Sequence, residues 1–275
     1  MDDKKSFFCI QDSKYAYSVQ GKGEPVLLLH GFTGKSSTWK HLVHVLKSNW
    51  KVIVIDLPGH GDTVVEKPRS MIQFCSDLAQ FLSFLQVDKI HIVGYSLGGR
   101  SALSFAMLYP NHVLTLTLES ASPGLEKEDE RIKRKKSDHE LAERIERNGI
   151  VDFVDFWENI PLFATQKTLP RQVRDSIRKE RLSHTKEGLA QSLRSMGTGS
   201  QPSWWNQLNK LEAPIQLITG DQDEKFVQIN QKMNRLLPNG TMHKVKNAGH
   251  CVHLEQPTIF NSIVVNFLHV KKNVQ

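Results

Sequence analysis

Short runs of leucine and β-branched residues recur through the first half of the chain, at positions 26–30, 51–56, 90–94 and 113–118. Their content of leucine and β-branched residues is near-continuous, as expected of strands whose sheet is covered on both faces, so a parallel sheet between helices is predicted. The intervening stretches at 37–46, 71–85 and 99–108 carry apolar residues at helical spacing. From about 126 to 208 the pattern changes to charged, helix-spaced sequence with no strand-like run. Strand character returns at 215–219 and 242–245, and helices are predicted at 228–237 and 257–268. The organisation expected is α/β: a mostly parallel sheet flanked by helices, formed by residues 1–123 and 209–275, interrupted by a helical cap insertion at 124–208.

The third run leads directly into Gly94-Tyr95-Ser96-Leu97-Gly98-Gly99, which opens a helix-patterned segment. A serine on so tight a strand-to-helix turn is forced out at the end of the sheet, and glycines on either side remove side chains that would collide. The amide of Leu97 then points into the space where negative charge would develop on a substrate. The loop His30-Gly31-Phe32 after the first run offers a second such donor, the amide of Phe32. Late in the chain Gly220-Asp221-Gln222-Asp223 and Ala248-Gly249-His250 each follow a strand. The order Ser96, Asp223, His250 is that of α/β-hydrolases, with His250 as base to Ser96 and Asp223 orienting the imidazole. Asp221 competes with Asp223 and is read as a turn or capping residue; Asp56, in Asp56-Leu57-Pro58-Gly59-His60-Gly61, is a further carboxylate, and His253 rivals His250.

Composition narrows the partners. With 39% hydrophobic and 24% charged residues the chain has an ordinary globular balance. No apolar run approaches the ~20 residues of a membrane span, and the start, Met1-Asp2-Asp3-Lys4, has no signal-peptide character. Three cysteines without paired spacing (Cys9, Cys75, Cys251) argue against disulfides or a zinc site, so a reducing cytoplasm is expected. Cys251 reads as a small buried residue rather than a nucleophile. The net charge of +7 is concentrated in Arg131-Ile132-Lys133-Arg134-Lys135-Lys136, read as a solvated helix face. Nucleic-acid motifs are missing, and oligomeric state is not legible.

Beyond the general elbow, the sequence resembles the 2-succinyl-6-hydroxy-2,4-cyclohexadiene-1-carboxylate synthases of menaquinone biosynthesis. The matching segments are Tyr95-Ser96-Leu97-Gly98-Gly99-Arg100, Trp157-Glu158-Asn159-Ile160-Pro161-Leu162-Phe163, the stretch Ser195-Met196-Gly197-Thr198-Gly199-Ser200-Gln201-Pro202-Ser203-Trp204-Trp205, and Gly220-Asp221-Gln222-Asp223-Glu224-Lys225-Phe226. The resemblance implies a cofactor-free, metal-free lyase that eliminates pyruvate from a small polyanionic substrate without obligatory membrane contact. It also implies substrate contacts from Tyr95, Arg100, Arg134, Trp157 and Arg181. Arg100 could instead be a packed helix arginine, Arg131 and Lys133 compete with Arg134, Arg178 competes with Arg181, and Tyr95 and Trp157 could be packing aromatics. A carboxylesterase, a C–C bond hydrolase and a non-catalytic binder on the same fold are the alternatives, because the triad alone does not separate them.

Overall fold

The computed structural model describes residues 5–272, with side chains through His269, so the reading of Met1-Asp2-Asp3-Lys4 lies outside the described residues. Nine strands form one sheet: β1 (Ser6–Ile10), β2 (Ser13–Gln20), β3 (Glu24–Leu29), β4 (Trp50–Ile55), β5 (Val64–Val65), β6 (Ile90–Tyr95), β7 (Val113–Glu119), β8 (Ile215–Gly220) and β9 (Gly240–Val245). Their order is β1-β2-β4-β3-β6-β7-β8-β9, with β5 paired to β2. The run from β4 to β9 is wholly parallel, whereas β1, β2 and β5 pair antiparallel at one side.

Two-sided burial explains the continuous apolar runs. Along β3, Leu27 and Leu29 join one core and Val26 and Leu28 the other, and β4 divides its Ile53/Ile55 and Val52/Val54 in the same way. The first core is closed by α2 (Met71–Phe84), α3 (Leu97–Leu108) and α7 (Glu224–Leu236). The second is closed by α1 (Lys40–Leu46), the short α8 (Val252–Glu255) and α9 (Pro257–Lys272). The strands β1 and β2 escaped the sequence pattern. β1 lies at the sheet edge and β2 beside it, and residues such as Ser6, Lys14 and Gln20 interrupt their apolar runs.

Between β7 and β8 the chain forms α4 (Glu128–Trp157), α5 (Arg171–Leu182) and α6 (Lys186–Met196), with a 3-10 segment (Pro161–Thr168) joining the first two. Gly149 breaks α4 with φ +86°. Ala142, Ile145, Phe153 and Val154 of α4 pack on Leu189, Ala190 and Leu193 of α6 as a separate small core. No described helix is long and apolar enough to cross a membrane.

A seam of imidazoles joins this helical segment to the strand-end loops. His30 and His60 come from the loops after β3 and β4, and His184 follows α5. Their rings lie 5.2 and 5.4 Å apart in edge-on pairs. His184 donates from Nε2 to the Thr33 carbonyl (2.9 Å) and accepts the Gly61 amide at Nδ1 (3.2 Å). Beside it Gly59 and Gly188 meet backbone to backbone, where a Cβ on Gly59 would fall 2.2 Å from the Gly188 carbonyl. Burial lowers the pKa of all three histidines; His30 adds to this at His60 and at His184, and His184 adds to it at His60, and His184 is brought down to about 4. Asp56 and the Thr33 carbonyl oppose that shift at His184, and Lys35 adds to it.

The consequence for stability follows from proton uptake. Between an unfolded value of about 6.5 and their lower folded values, these histidines bind protons in the unfolded chain but not in the native one. Stability is therefore full above about pH 6.5 and is lost as pH falls toward 4 and the folded values are reached. Urea unfolding at pH 7 and pH 4.5 is expected to show this loss, and His184→Gln is expected to remove on the order of 2 kcal/mol of it. An unchanged pH dependence in that variant would show that His184 is not buried in its neutral form.

Candidate active site

The elbow forms as the spacing requires. Ser96 sits between β6 and α3 with φ +49°, a left-handed conformation that costs a non-glycine residue about 1 kcal/mol or more. Close packing holds it there. A Cβ on Gly98 would lie 2.1 Å from the Leu29 carbonyl, and one on Gly94 would lie 2.5 Å from the Gly98 carbonyl. The Ser96 amide is tied to the Glu119 carbonyl of β7 (2.9 Å), and the Ser96 carbonyl accepts the Arg100 amide (2.8 Å).

Ser96, His250 and Asp223 meet although 154 and 27 positions separate the pairs. The Ser96 hydroxyl lies 3.4 Å from His250 Nε2, and His250 Nδ1 donates to Asp223 Oδ2 at 2.7 Å. Asp223 also caps α7, accepting the Phe226 amide at Oδ1 (3.3 Å), so its carboxylate is fixed at both oxygens. Of the two roles expected of Asp221, turn or cap, it takes the turn before α7, and Asp223 is the cap. Glu255 brackets the base, accepting the Gly249 amide (2.7 Å) and the Cys251 amide (3.2 Å) on either side of His250. His253 is committed elsewhere, to the buried carboxylate of Glu119 (2.8 Å). Asp56 accepts the Ser36 amide (2.6 Å) and the Asp62 amide (3.0 Å), which organises its loop.

Ser96 and His250 line a cavity of about 170 Å³ together with Phe32, Leu97, Arg100, Arg134, Trp157 and Lys225. Arg100 is buried and donates to the Met196 carbonyl (2.9 Å) and Gln201 Oε1 (2.6 Å), so no ion pair accounts for it among the described residues. Burial, reinforced by the Arg134 cation, lowers its pKa, which makes an anion in the cavity favourable. Arg134 is held by Asp138 (2.7 Å), whose other oxygen accepts the Gly199 amide (3.3 Å). The stretch Gly197-Thr198-Gly199 is therefore tightly packed: a Cβ on Gly199 would sit 2.3 Å from the Lys135 amide nitrogen. Arg131 pairs with Glu128 instead.

The aromatic candidates differ. Trp157 packs edge-on against Phe32 (5.4 Å) and stacks on Phe153 (5.5 Å), while its buried indole N–H has no protein partner among the described residues. Tyr95 reaches the cavity with its ring, but its hydroxyl meets Cys251 Sγ and its ring supports Gly31, where a Cβ would lie 2.5 Å away. Burial pushes both the Tyr95 phenol and the Cys251 thiol well up, so both remain protonated.

Arg181 does not line the Ser96 cavity. It lines an adjoining space of about 270 Å³ that shares Phe32, Tyr95 and Phe163 as a wall. Its guanidinium lies over the Phe163 ring (4.8 Å) and donates to Gln166 Oε1 (3.0 Å), which turns it to the far side of that wall. Arg178 is bound to Asp155 and Glu158, each at 2.6 Å. Sequence reasoning missed Lys225 and Phe226. The signal was the early start of α7 at Glu224, which puts both in its first turn, with Phe226 4.8 Å from the His250 ring.

Comparison with known proteins agrees with this geometry. The family model described as alpha/beta hydrolase fold matches residues 24–257. A Bacillus subtilis (strain 168) protein provisionally named 2-succinyl-6-hydroxy-2,4-cyclohexadiene-1-carboxylate synthase is 45% identical, covering 93% of this chain and 94% of its own. The Citrobacter koseri protein of the same name is 31% identical over 86% of this chain and 90% of its own. Among solved structures, MenH from S. aureus superposes with a TM-score of 0.90 at 33% identity, covering 94% of this chain and 98% of that one. A thermophilic esterase from Thermogutta terrifontis gives 0.85 at 26% identity, covering 98% and 99%. A strained serine, its histidine and carboxylate, and matches spanning nearly all of both chains lead to one assignment: this chain belongs to the 2-succinyl-6-hydroxy-2,4-cyclohexadiene-1-carboxylate synthase family of α/β-hydrolase-fold enzymes.

Proposed function

We propose that this enzyme eliminates pyruvate from 2-succinyl-5-enolpyruvyl-6-hydroxy-3-cyclohexene-1-carboxylate to give 2-succinyl-6-hydroxy-2,4-cyclohexadiene-1-carboxylate. The observation that carries the reading is a Ser96–His250–Asp223 relay opening into one cavity whose wall bears Arg100, Arg134 and Lys225. Residues 1–123 and 209–275 form the catalytic core in this reading, and 124–208 act as the cap that closes over substrate.

In the reaction, His250 draws the hydroxyl proton from Ser96, and Ser96 Oγ removes the ring proton next to the succinyl carbonyl. The C–H electrons form a ring double bond, the existing double bond shifts by one position, and the C–O bond to the enolpyruvyl group breaks. The enolate that leaves takes a proton and becomes pyruvate. Charge that builds on the succinyl oxygen is held by the amides of Phe32 and Leu97, donors of a kind worth roughly 3–4 kcal/mol each. Asp223 keeps His250 in the tautomer with its proton on Nδ1 and stabilises the imidazolium. Arg100, Arg134 and Lys225 offset the substrate carboxylates, Arg100 as a planar fork and Lys225 as a point charge. Arg181 serves a portion of substrate or product that passes the Phe163 wall, and Tyr95 and Trp157 shape the pocket. No step requires a cofactor or metal.

A second reading, carboxylester hydrolysis with Ser96 as nucleophile, is favoured by the likeness to the Thermogutta terrifontis esterase. The cations in the cavity separate the two, because a neutral ester offers nothing to offset a buried Arg100. The enzyme acts on a soluble precursor, so we place it in the cytoplasm; its three cysteines are free.

Pyruvate release from the enolpyruvyl substrate, followed through NADH oxidation by lactate dehydrogenase, is expected for the wild type. Ser96→Ala and His250→Ala are expected to lower kcat by about 10³ or more with melting temperature preserved. Rapid p-nitrophenyl ester turnover without pyruvate would instead establish the esterase. In the same assay Arg134→Ala is expected to raise KM about tenfold with a smaller change in kcat, and Arg100→Ala to lower kcat/KM by about 10². Wild-type constants in both variants would remove the polyanion from the account.

A further inference from the structure

The amide expected to receive substrate charge belongs to the peptide joining Gly31 to Phe32, and that peptide is held from its carbonyl side. The Gly31 carbonyl accepts His30 Nδ1 (2.8 Å) and the Gly34 amide (3.0 Å). His30 Nε2 accepts the Leu57 amide (3.0 Å), so its one proton sits on Nδ1 and points at Gly31. Donors on a carbonyl fix the peptide plane and polarise its N–H, here the group proposed to receive the substrate charge.

Two residues on, Thr33 adopts φ +67°, an outlying conformation for a β-branched residue. Its carbonyl accepts His184 Nε2 (2.9 Å), while His184 Nδ1 accepts the Gly61 amide (3.2 Å). With one ring nitrogen donating and the other accepting, His184 is neutral and its tautomer is set. His60 fills the space between, 5.5 Å from the Phe32 ring and 5.4 Å from His184. The same end of α5 grips the following residues. Glu180 accepts the Ser37 and Thr38 hydroxyls, and Lys35 Nζ donates to Ser183 Oγ (2.9 Å). His30 is core sequence, but His184, Glu180 and Ser183 all belong to the helical segment between β7 and β8.

We propose that His184 is a positioning residue for the oxyanion site: its bond to the Thr33 carbonyl holds the strained Thr33, and with it the Phe32 amide, in the donating orientation only when the helical segment is docked. The inference rests on the proposed role of the Phe32 amide. Docking over the substrate then completes the charge-stabilising site as well as closing it, and an undocked enzyme binds without reacting. Strain of this kind persists at functional sites because surrounding contacts over-determine it, and here one such contact comes from a different part of the chain.

The test uses three variants of the full-length enzyme. His184→Phe keeps a ring against His60 but loses both polar contacts. His184→Gln can still present an N–H to the Thr33 carbonyl, and His184→Asn is too short to do so. Measurements are kcat and KM for pyruvate release, melting temperature, and the inhibition constant of phenylboronic acid, whose anionic Ser96 adduct reads out the oxyanion amides. His184→Phe and His184→Asn are expected to lose about 10–100-fold in kcat with KM within about twofold, and boronate affinity by a comparable factor. His184→Gln is expected to stay within a few-fold of wild type. If His184→Phe does not fold, the contrast between Gln and Asn decides alone. Equal kcat in Gln and Asn variants, or a loss of kcat with boronate affinity unchanged, would overturn the proposal. A wild type that releases no pyruvate would instead overturn the assigned reaction.

Discussion

The site depends on one strained residue held by backbone crowding. Ser96 carries a positive φ because β3, β6 and α3 approach so closely at Gly94 and Gly98 that no other path is open to the chain. That crowding directs the hydroxyl out of the sheet toward His250. It also starts α3 immediately after the serine, which leaves the first amides of the helix unbonded near the reacting atoms. The strain is shared with the neighbouring strand, since β7 holds the Ser96 amide through the Glu119 carbonyl while the Glu119 side chain anchors His253, three residues past the base. Serine and histidine are thus referred to a single rigid element, and Glu255 fixes the two amides that flank the imidazole.

On that frame the two parts of the chain contribute different chemistry. The sheet and its loops carry Ser96, Asp223 and His250. The helical segment contributes Arg134 and Trp157, together with the carbonyl of Met196 that receives Arg100. A buried arginine without a carboxylate partner is unfavourable in the empty site and becomes favourable when an anion arrives. The helical segment touches both the buried Arg100, through the Met196 carbonyl, and the strained Thr33, through His184.

Much of this was legible from the chain. Strands buried on both faces announce themselves as continuous apolar runs, and Ser96 and Asp223 follow two of these, β6 and β8; His250 instead follows β9, a partly exposed strand at the end of the sheet. The edge strand β1 and its neighbour β2 did not announce themselves, because polar residues interrupt both. Residues in the helical segment were harder. Which side of the Phe163 ring Arg181 takes is settled by side-chain packing that spacing does not encode, and it faces the adjoining cavity. Lys225 was hidden by placing the start of α7 at residue 228 rather than at Glu224, although the Asp223 cap was available to mark it. His184 has no local motif at all. Its importance comes from a contact with Thr33, 151 positions away.

Whether the strained serine acts as a base in the elimination is tested most directly by an isotope effect. Substrate deuterated at the ring carbon beside the succinyl carbonyl would be compared with unlabelled substrate in the rate of pyruvate release under single-turnover conditions. A primary isotope effect of about 2 or more is expected in the wild type, with the residual rate of the Ser96→Ala enzyme far below either. Pyruvate released at the same rate from both substrates, together with an acyl or other covalent adduct on Ser96, would contradict that role.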